Sequence, residues 1–270
     1  LGWSPISVQG PMARNVEDLA IFLDAMVSHN NRDPLSFPKT PNSYHKEMIS
    51  NNEKKHLIGF TDDFGIFPCD HEVRDMIKNT IKLFESLGHK VENVYPDMKN
   101  SEKSFQKIRA YMFYANYKFL LQKDQRLIKD EVIWNIQKGS KLTIDELVEA
   151  EEQRLKIYKN AIEFFEKFDF LVIPSSIVPA FSINEKWVKK VEDTVFDNYV
   201  SWLMIAACIS LTGCPSLALP TSFSNNNAPI GIQIVAPPYQ ESKLLNFAKS
   251  VEDNINISSL IPINVNNETF

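Results

Sequence analysis

The stretch between residues 56 and 96 alternates a short apolar run, an amphipathic helix and a second apolar run. His56–Thr61 has the composition of a buried strand. Asp70 can cap a helix whose apolar residues recur every three or four positions and which ends at Gly88, and Val91–Val94 supplies the second strand. Two strands joined by a helix over about forty residues form a βαβ unit, whose strands lie parallel. The sequence therefore predicts an α/β fold.

The last third of the chain predicts an antiparallel pair of strands. The apolar runs SLALPTSF and IGIQIVAPP flank SNNNAP, whose asparagines tolerate the positive φ angles of a tight turn. A parallel pair and an antiparallel pair make the predicted β-sheet mixed, and helices flank it. The sequence shows no internal repeat and no linker, so residues 1–270 are expected to belong to one domain, with 256–270 as a loose polar tail.

Helices are predicted in each third of the chain. Asn15 caps a helix over Val16–Met26, and the middle third contains a helix over about 101–121. A longer helix follows Thr143, where Glu146 completes a capping box. After the strand DFLVIPSS, further helices are predicted from residue 199 to about 211 and from residue 241 to about 252.

Composition excludes several classes of function. The net charge is −5 and acidic and basic residues are interspersed, so we expect no direct nucleic-acid partner. The three cysteines have no C-x-x-C spacing, which argues against disulfides or a zinc site and favours a reducing cytoplasm. The five histidines form no i, i+4 pair, so no metal site is predicted, and the sequence contains no cofactor-binding motif.

One long stretch of the chain is uncharged. From Asn198 to Gln240 there is no charged residue, and the run from Trp202 to Leu219 is apolar enough to consider a membrane span. Pro215 would break a helix in the middle of that run. We therefore interpret the stretch as buried core and expect no membrane partner.

Glycine is scarce, which limits the chemistry available to the chain. Only 8 glycines occur, where an average composition would give about 19. Glycine-rich phosphate loops and the G-x-S-x-G elbow are absent. Ser175 and Ser176 follow a predicted strand at its carboxyl end, where α/β sheets often bind ligands. No histidine or lysine is tied to them in sequence, so a structural role is favoured over a nucleophilic one.

Three stretches, in this order, carry a family resemblance. They are SVQGPMARNVEDLAIFLDAM, FDFLVIPSSIVPAF, and LTGCPSLALPTSF continued by APIGIQIVAPPYQESKLLNFA. Together they resemble the amidase signature family, whose lysine, Gly/Ser-rich loop and nucleophilic serine precede the stretch that is similar to GPMAR. The resemblance implies an amidase-signature-like fold, incomplete here. Residues 1–270 are thus expected to be the carboxyl-terminal part of a single amidase domain, without the Ser-Ser-Lys triad.

The resemblance also implies a reaction and a set of pocket residues. The reaction is hydrolysis of a linear carboxylic amide to the acid and ammonia or amine, through a serine acyl-enzyme formed by residues outside this chain. No catalytic residue is expected within it. The alternatives are a tight turn with Arg14 paired to a surface carboxylate, and plain core packing. The residues expected to bind substrate or support the catalytic loop are Gln9, Gly10, Pro11, Arg14, Trp202, Thr212 and Cys214.

Three functions remain open. The first is a stand-alone amidase, and the second is the glutaminase subunit of a tRNA-dependent amidotransferase. Those subunits carry a basic VKRRI stretch where this chain has VIWNIQKG, and an acidic residue near the position of Leu203, so a less polar amide is favoured. The third is a non-catalytic α/β module for binding or assembly. The implied partners are a small-molecule amide, the missing amino-terminal half and a second copy of the chain.

A chain that contains half of a domain should leave apolar side chains uncovered. The helix after Asn15 would lie beside the missing segment. Several of its apolar residues are therefore expected to remain accessible to solvent, from among Val16, Leu19, Phe22, Leu23 and Met26.

Overall fold

The computed structural model describes residues 3–4, 6–36, 42–50, 54–255 and 257. Its strands are β1 (Leu57–Phe60), β2 (Lys90–Glu92), β3 (Phe170–Pro174), β4 (Lys190–Val191), β5 (Thr194–Val195), β6 (Ser216–Phe223) and β7 (Pro229–Val235). Five of them form a sheet in the order β2-β1-β3-β7-β6, and β4 pairs with β5 in a separate hairpin.

The five-stranded sheet is mixed. β1 runs parallel to β2 and to β3, with Ile58 beside Val91 and Phe170. β7 runs antiparallel to β3 and to β6, so that Ile234 lies between Val172 and Leu217. The predicted α/β class, the adjacent parallel pair of the βαβ unit and the carboxyl-terminal hairpin are confirmed.

Two layers of helices cover the sheet. The helices are α1 (Val16–Met26), α2 (Tyr44–Ile49), α3 (His71–Ser86), α4 (Ser101–Tyr117), α5 (Asp130–Ser140), α6 (Ile144–Phe165), α7 (Met204–Ala207) and α8 (Glu241–Ile255). Apolar residues of α1, α2, α3 and α8 cluster with Phe170 and Val172 of β3. Those of α4, α6 and α7 cluster with Leu171 and Ile173. Because successive residues of a strand point to opposite faces, β3 is buried on both sides.

The predicted helix boundaries follow from their capping residues. Asn15, Asp70 and Thr143 each accept a backbone N–H from the first turn of the helix that follows. The Glu146 carboxylate accepts the Thr143 backbone N–H at 3.0 Å, which completes the capping box. Beyond α3, Gly88 takes a φ of +85°, a conformation that glycine adopts without a steric penalty.

Two segments differ from the prediction. Residues 199–211 do not form one continuous helix, because 3-10 turns at Ser201–Leu203 and Cys208–Leu211 flank the four-residue α7. Helix α5 was not predicted, although Val132, Ile133 and Ile136 recur at helical spacing. It packs closely on α4 because Gly139 has no side chain, and a Cβ there would lie 2.1 Å from the carbonyl oxygen of Ala110.

The uncharged stretch is part of the core. Its residues form the turns around α7 and the strands β6 and β7, and β7 is buried from Ile230 to Val235. Within the ranges that the structure describes, no helix is both long enough and apolar enough to cross a bilayer. The loose tail predicted for 256–270 lies outside the described residues, apart from residue 257.

Helix α1 is covered on one side only. Val16 is buried, so it is not among the residues that remain accessible. It clusters with residues of α8, and Leu19 and Leu23 are half-buried against the same cluster. Phe22 and Met26 keep 48% and 41% of their exposure, as expected.

The edge strand β6 is also covered on one side only. Leu217 and Leu219 are buried beneath the layer that contains α8, whereas Ser216, Ala218 and Pro220 are exposed. The layer of α4, α6 and α7 therefore does not extend across this strand in the described part of the chain.

Candidate functional site

The segment before α1 is extended and lies at the surface. Gln9, Gly10 and Arg14 are exposed and Pro11 is half-buried. A Cβ built on Gly10 would have no neighbour within 4 Å. Among the described residues, no carboxylate oxygen lies within 4.0 Å of the Arg14 guanidinium, so the structure does not show the surface ion pair considered as an alternative role.

Arg14 lies in a shallow crevice beside β6 and α8. Leu219, Pro220 and Glu252 line the same crevice. The buried Glu252 carboxylate accepts the backbone N–H of Val16 at 3.0 and 3.2 Å, and burial raises the pKa of this carboxyl. This contact attaches the first turn of α1 to α8 and so holds the adjoining exposed segment beside the edge strand.

The turn after residue 211 is held by its own hydrogen bonds. The Thr212 hydroxyl donates to the carbonyl oxygen of Ile209 at 2.7 Å and accepts the Cys214 N–H at 3.1 Å. Gly213 takes a φ of +65° between them. Thr212 and Cys214 are buried, and burial raises the pKa of the Cys214 thiol. Their predicted place in a substrate pocket stays a prediction.

Trp202 lies on a segment that is tied to α4. Its ring makes an edge contact with Phe181 at a centroid distance of 5.5 Å and packs on the core. The neighbouring Ser201 hydroxyl donates to Glu102 Oε1 at 2.5 Å. Gln106 Nε2 donates to the same carboxylate oxygen at 2.8 Å. The segment that contains Trp202 is therefore held along one face of α4.

A cluster of hydrogen-bond donors lies next along this face. Arg109 Nη2 donates to the Tyr199 hydroxyl at 3.0 Å, and Asn135 Nδ2 donates to the same oxygen at 2.5 Å. The guanidinium carbon lies 4.6 Å from the ring centroid of Phe113, and the Trp134 ring meets the Tyr199 ring edge-on at 5.9 Å. We call Arg109, Tyr199 and Asn135 the donor cluster. Neither Arg109 nor Tyr199 was predicted from the sequence as a site residue, although a single arginine between apolar positions of α4 was a usable signal.

A separate cleft opens between α4, α5 and the start of α6. Its volume is about 470 Å³, and four lysines line it, namely Lys103, Lys107, Lys138 and Lys141. Lys107 pairs with Glu149 at 2.6 Å. Lys138 donates to Gln106 and lies 4.7 Å from the Trp134 ring, and burial lowers the pKa of its amine.

The hydroxyls after β3 have structural partners. Ser175 Oγ donates to the carbonyl oxygen of Gly231 at 2.9 Å, and Ser176 Oγ donates to that of Val178 at 2.8 Å. In the described part of the chain, no serine hydroxyl or cysteine thiol is hydrogen-bonded to a histidine or lysine side chain. The arrangement of an activated nucleophile is therefore not found among these residues.

The cysteine thiols are also poorly suited to nucleophilic attack. All three cysteines are free and buried. Burial raises the pKa of the Cys69 thiol to about 12 and raises that of Cys208 further from its ordinary value. The thiolate is the reactive form, so these thiols are inert near neutral pH.

One group of residues has the composition of a metal site. The ligand atoms of Asp70, His71 and Glu72 lie within 4.8 Å of one another at the start of α3. Asp70 accepts the Glu72 backbone N–H at 2.9 Å, and Glu72 accepts that of Asn225 at 2.9 Å. These carboxylates cap the helix and anchor the turn between β6 and β7.

The family of the chain follows from a match to a family model that extends over most of the fold. A family model described as Amidase matches residues 4–245. The chain belongs to the amidase signature family. The match extends from the exposed segment before α1, through the donor cluster and the turn at Thr212, into α8. The resemblance seen in the sequence is confirmed.

Relatives of this amidase signature chain include an amidotransferase subunit and an acylamidase. It is 28% identical over 269 residues to a glutamyl-tRNA(Gln) amidotransferase subunit of Thermodesulfovibrio yellowstonii, which covers 91% of this chain and 54% of that protein. It is 25% identical over 248 residues to an acylamidase of Rhodococcus erythropolis, which covers 90% of this chain and 51% of that protein. The chain thus spans about half the length of the curated relatives it matches.

Solved structures of amidase signature enzymes share the fold. A 6-aminohexanoate cyclic dimer hydrolase aligns with a TM-score of 0.80 at 20% identity, over 93% of this chain and 55% of that one. A bacterial aryl acylamidase of the amidase signature family aligns with a TM-score of 0.79 at 18% identity, over 97% of this chain and 58% of that one. The mixed sheet flanked by helices is therefore the amidase signature fold.

Proposed function

We propose that the protein to which this chain belongs hydrolyses a carboxylic amide to the acid and ammonia or amine. The observation that carries the proposal is the family match over residues 4–245. The similarity of the fold to amide-hydrolysing enzymes supports it. In this reaction a serine attacks the amide carbonyl, the amine leaves, and water hydrolyses the acyl-enzyme.

The 270 residues supply scaffold and part of the substrate pocket, and the attacking groups come from residues outside them. The Ser175 and Ser176 hydroxyls donate to backbone carbonyl oxygens, and the thiols are buried. No described serine or cysteine is hydrogen-bonded to a histidine or lysine side chain, which supports attacking groups from outside the chain. The exposed Gln9–Arg14 segment and the uncovered face of β6 leave room for further polypeptide. The remaining half of an amidase domain is the proposed occupant.

A stand-alone amidase acting on an amide less polar than the glutamine zwitterion is the first candidate. Trp134 and Asn135 occupy the stretch where the glutaminase subunits carry basic residues, and the Asn135 amide donates a hydrogen bond to the Tyr199 hydroxyl. Leu203 packs on the apolar core rather than offering a carboxylate. The acylamidase relative agrees with this candidate.

A glutaminase subunit is the second candidate, favoured by the 28% identity to the amidotransferase relative. For either candidate we propose a small-molecule amide as ligand and a reducing, cytoplasmic location that keeps the three cysteines free. We propose a second copy of the chain as a further partner, and no nucleic acid bound directly.

The test is amide hydrolysis by the chain alone and by the longer protein encoded by the same gene. Ammonia release would be measured from glutamine and a primary aliphatic amide, and aniline release from an anilide. We expect turnover by the longer protein and none above background by residues 1–270, because binding cannot replace an absent nucleophile. Ser175→Ala and Ser176→Ala in the longer protein serve as controls that should retain activity.

Two results would contradict this assignment. Turnover by the 270-residue chain that disappears in Ser175→Ala or Ser176→Ala would place the nucleophile at the end of β3. A longer protein that hydrolyses no amide would favour a non-catalytic α/β module for binding or assembly. Glutamine turnover without anilide turnover would identify the second candidate.

A further inference from the structure

The donor cluster has more donors than acceptors. The Tyr199 oxygen already accepts hydrogen bonds from Arg109 and Asn135, so its own O–H proton is left to donate. The second amide proton of Asn135 goes to the Glu131 carbonyl oxygen at 2.7 Å, which fixes the orientation of the amide. Within the described residues, the hydroxyl proton of Tyr199 has no acceptor.

The guanidinium of Arg109 is also incompletely satisfied. Its Nε is buried without a hydrogen-bond partner. Of its donors, only Nη2 has a partner, and no carboxylate oxygen lies within 4.0 Å in the described part of the chain. A half-buried cation held against Phe113 and Tyr199 without a counter-ion loses hydration that the protein does not replace. An anionic ligand would supply both the hydrogen-bond acceptor and the counter-charge that the guanidinium lacks.

The donor cluster lies beside the segments expected to form the pocket. One turn along α4 from Arg109, the sulfur of Met112 accepts a hydrogen bond from the Ser4 hydroxyl at 3.3 Å. One turn in the other direction, Gln106 is linked to Ser201. The same helix face therefore contacts the amino-terminal segment and the segment that contains Trp202.

We propose that Arg109 and the Tyr199 hydroxyl bind a carboxylate carried by the amide substrate. Nη1 and the Tyr199 O–H are donors without a partner among the described residues and can each donate to one oxygen of a carboxylate, and charge-assisted hydrogen bonds of this kind are stronger than neutral ones. Because no described carboxylate oxygen lies within 4.0 Å of the Arg109 guanidinium to hold an ammonium, the preferred substrate is an amide with a single negative charge rather than a zwitterion. This inference rests on the proposed function for the identity of the ligand as an amide.

The test compares two small amides that differ in charge. Calorimetric titration of the longer protein, in which the pocket would be complete, would use succinamate, which has one carboxylate, and succinamide, which is neutral. We expect succinamate to bind about tenfold more tightly, with the preference falling at high salt. Arg109→Gln and Tyr199→Phe should remove the preference. Arg126→Gln is the matched control, since Arg126 is an exposed arginine paired with Asp124 at 2.7 Å.

Separate controls test whether each variant folds and whether the anionic partner of Arg109 is the substrate or a carboxylate of the protein. Arg109→Lys keeps the charge but not the planar fork, and thermal melting of each variant shows whether it folds. Equal affinity for the two amides, binding of neither, or an unchanged preference in Arg109→Gln would overturn the proposal. One further outcome in the longer protein would overturn the proposal. Arg109→Gln would lower the melting temperature but leave the ratio of kcat/KM between the two amides unchanged, because Arg109 would then pair with a protein carboxylate.

The two proposals can fail independently. A longer protein that hydrolyses succinamide and succinamate equally would refute the carboxylate site and leave amide hydrolysis standing. A protein that hydrolyses neither, but binds succinamate through Arg109, would refute the hydrolase and retain the site.

Discussion

At the scale of the residue, His56 is a buried neutral base. Its side chain is 8% exposed, and its ring lies against those of Phe170, Phe247 and His89 at centroid distances of 5.0 to 5.6 Å. Nδ1 lies 3.5 Å from Asp169 Oδ2 and has no hydrogen-bond partner. Burial lowers the pKa of His56 from 6.5 to about 4. The imidazole is therefore uncharged at neutral pH.

This low pKa predicts a loss of stability in mild acid. Below pH 6.5 the unfolded chain takes up a proton that the folded chain accepts only near pH 4. The stabilisation that depends on a neutral His56 imidazole is therefore fully present above pH 6.5 and decreases as the pH falls toward 4. At pH 5 the free energy of unfolding is lower by about 2 kcal/mol. Urea unfolding at pH 7.5 and pH 5.0 measures it.

The variants for this prediction are His56→Asn and His71→Asn. His56→Asn should lose less free energy of unfolding between the two pH values than the wild type. His71 is 79% exposed, so His71→Asn should keep the wild-type dependence. If all three proteins lose the same free energy, the imidazole of His56 is not the cause.

At the scale of the element, the contact between α4 and α5 brings the donor cluster together. Arg109 comes from α4 and Asn135 from α5, and they meet at Tyr199. The two helices approach closely because Gly139 lies directly against the backbone of Ala110. A side chain at this position would push the helices apart and separate the donors.

Gly139→Ala is predicted to destabilise the chain. The new methyl group would lie 2.1 Å from the Ala110 carbonyl oxygen, which is backbone and cannot rotate away. Overpacking of this kind costs about 1 to 3 kcal/mol, which exceeds the gain in helix propensity of alanine over glycine. Thermal or urea unfolding measures the change.

Gly10→Ala is the matched control, because a Cβ there has no neighbour within 4 Å. It should unfold close to the wild type. A Gly139→Ala protein as stable as Gly10→Ala would show that α4 and α5 can separate without cost. Succinamate affinity should also fall in Gly139→Ala.

At the scale of the whole molecule, the outer side of α1 with the segment before it and one face of β6 are left without a covering layer. Phe22 and Met26 of α1 remain exposed at 48% and 41%. Val8 and Met12 of the preceding segment are 80% and 90% exposed, and Ala218 lies on the uncovered face of β6. Exposed apolar side chains of this size each forgo roughly 1.5 to 3 kcal/mol of burial, against a net stability of about 5 to 15 kcal/mol.

The isolated chain is therefore predicted to bind the dye ANS and to self-associate. Phe22→Gln combined with Met26→Gln should lower dye fluorescence and association, as measured by fluorescence and light scattering. Ile183→Gln is the control, since Ile183 is 98% exposed outside these elements and should change little.

Addition of the proposed remaining half should suppress dye binding in the wild type. A chain that is monomeric, melts cooperatively and ignores the dye would instead be a self-sufficient domain, and the non-catalytic function would gain support.

Local patterns in the sequence determined most of the elements. Asn15, Asp70 and Thr143 predicted helix starts because a cap needs only its own neighbours in the chain. Period-two and uninterrupted apolar runs predicted β6 and β7, and the length of the connection predicted the parallel pair β1 and β2. The family resemblance was likewise carried by contiguous motifs, and the match over residues 4–245 confirmed it.

Tertiary structure alone decided how distant segments meet. α5 was not predicted, because its position depends on the fit of Gly139 against α4, 29 residues away in sequence. The burial of Val16 depends on Glu252 and α8, and the donor cluster unites residues from three separate segments. Whether Arg109 has a counter-ion is a property of the space around it, which no spacing along the chain encodes.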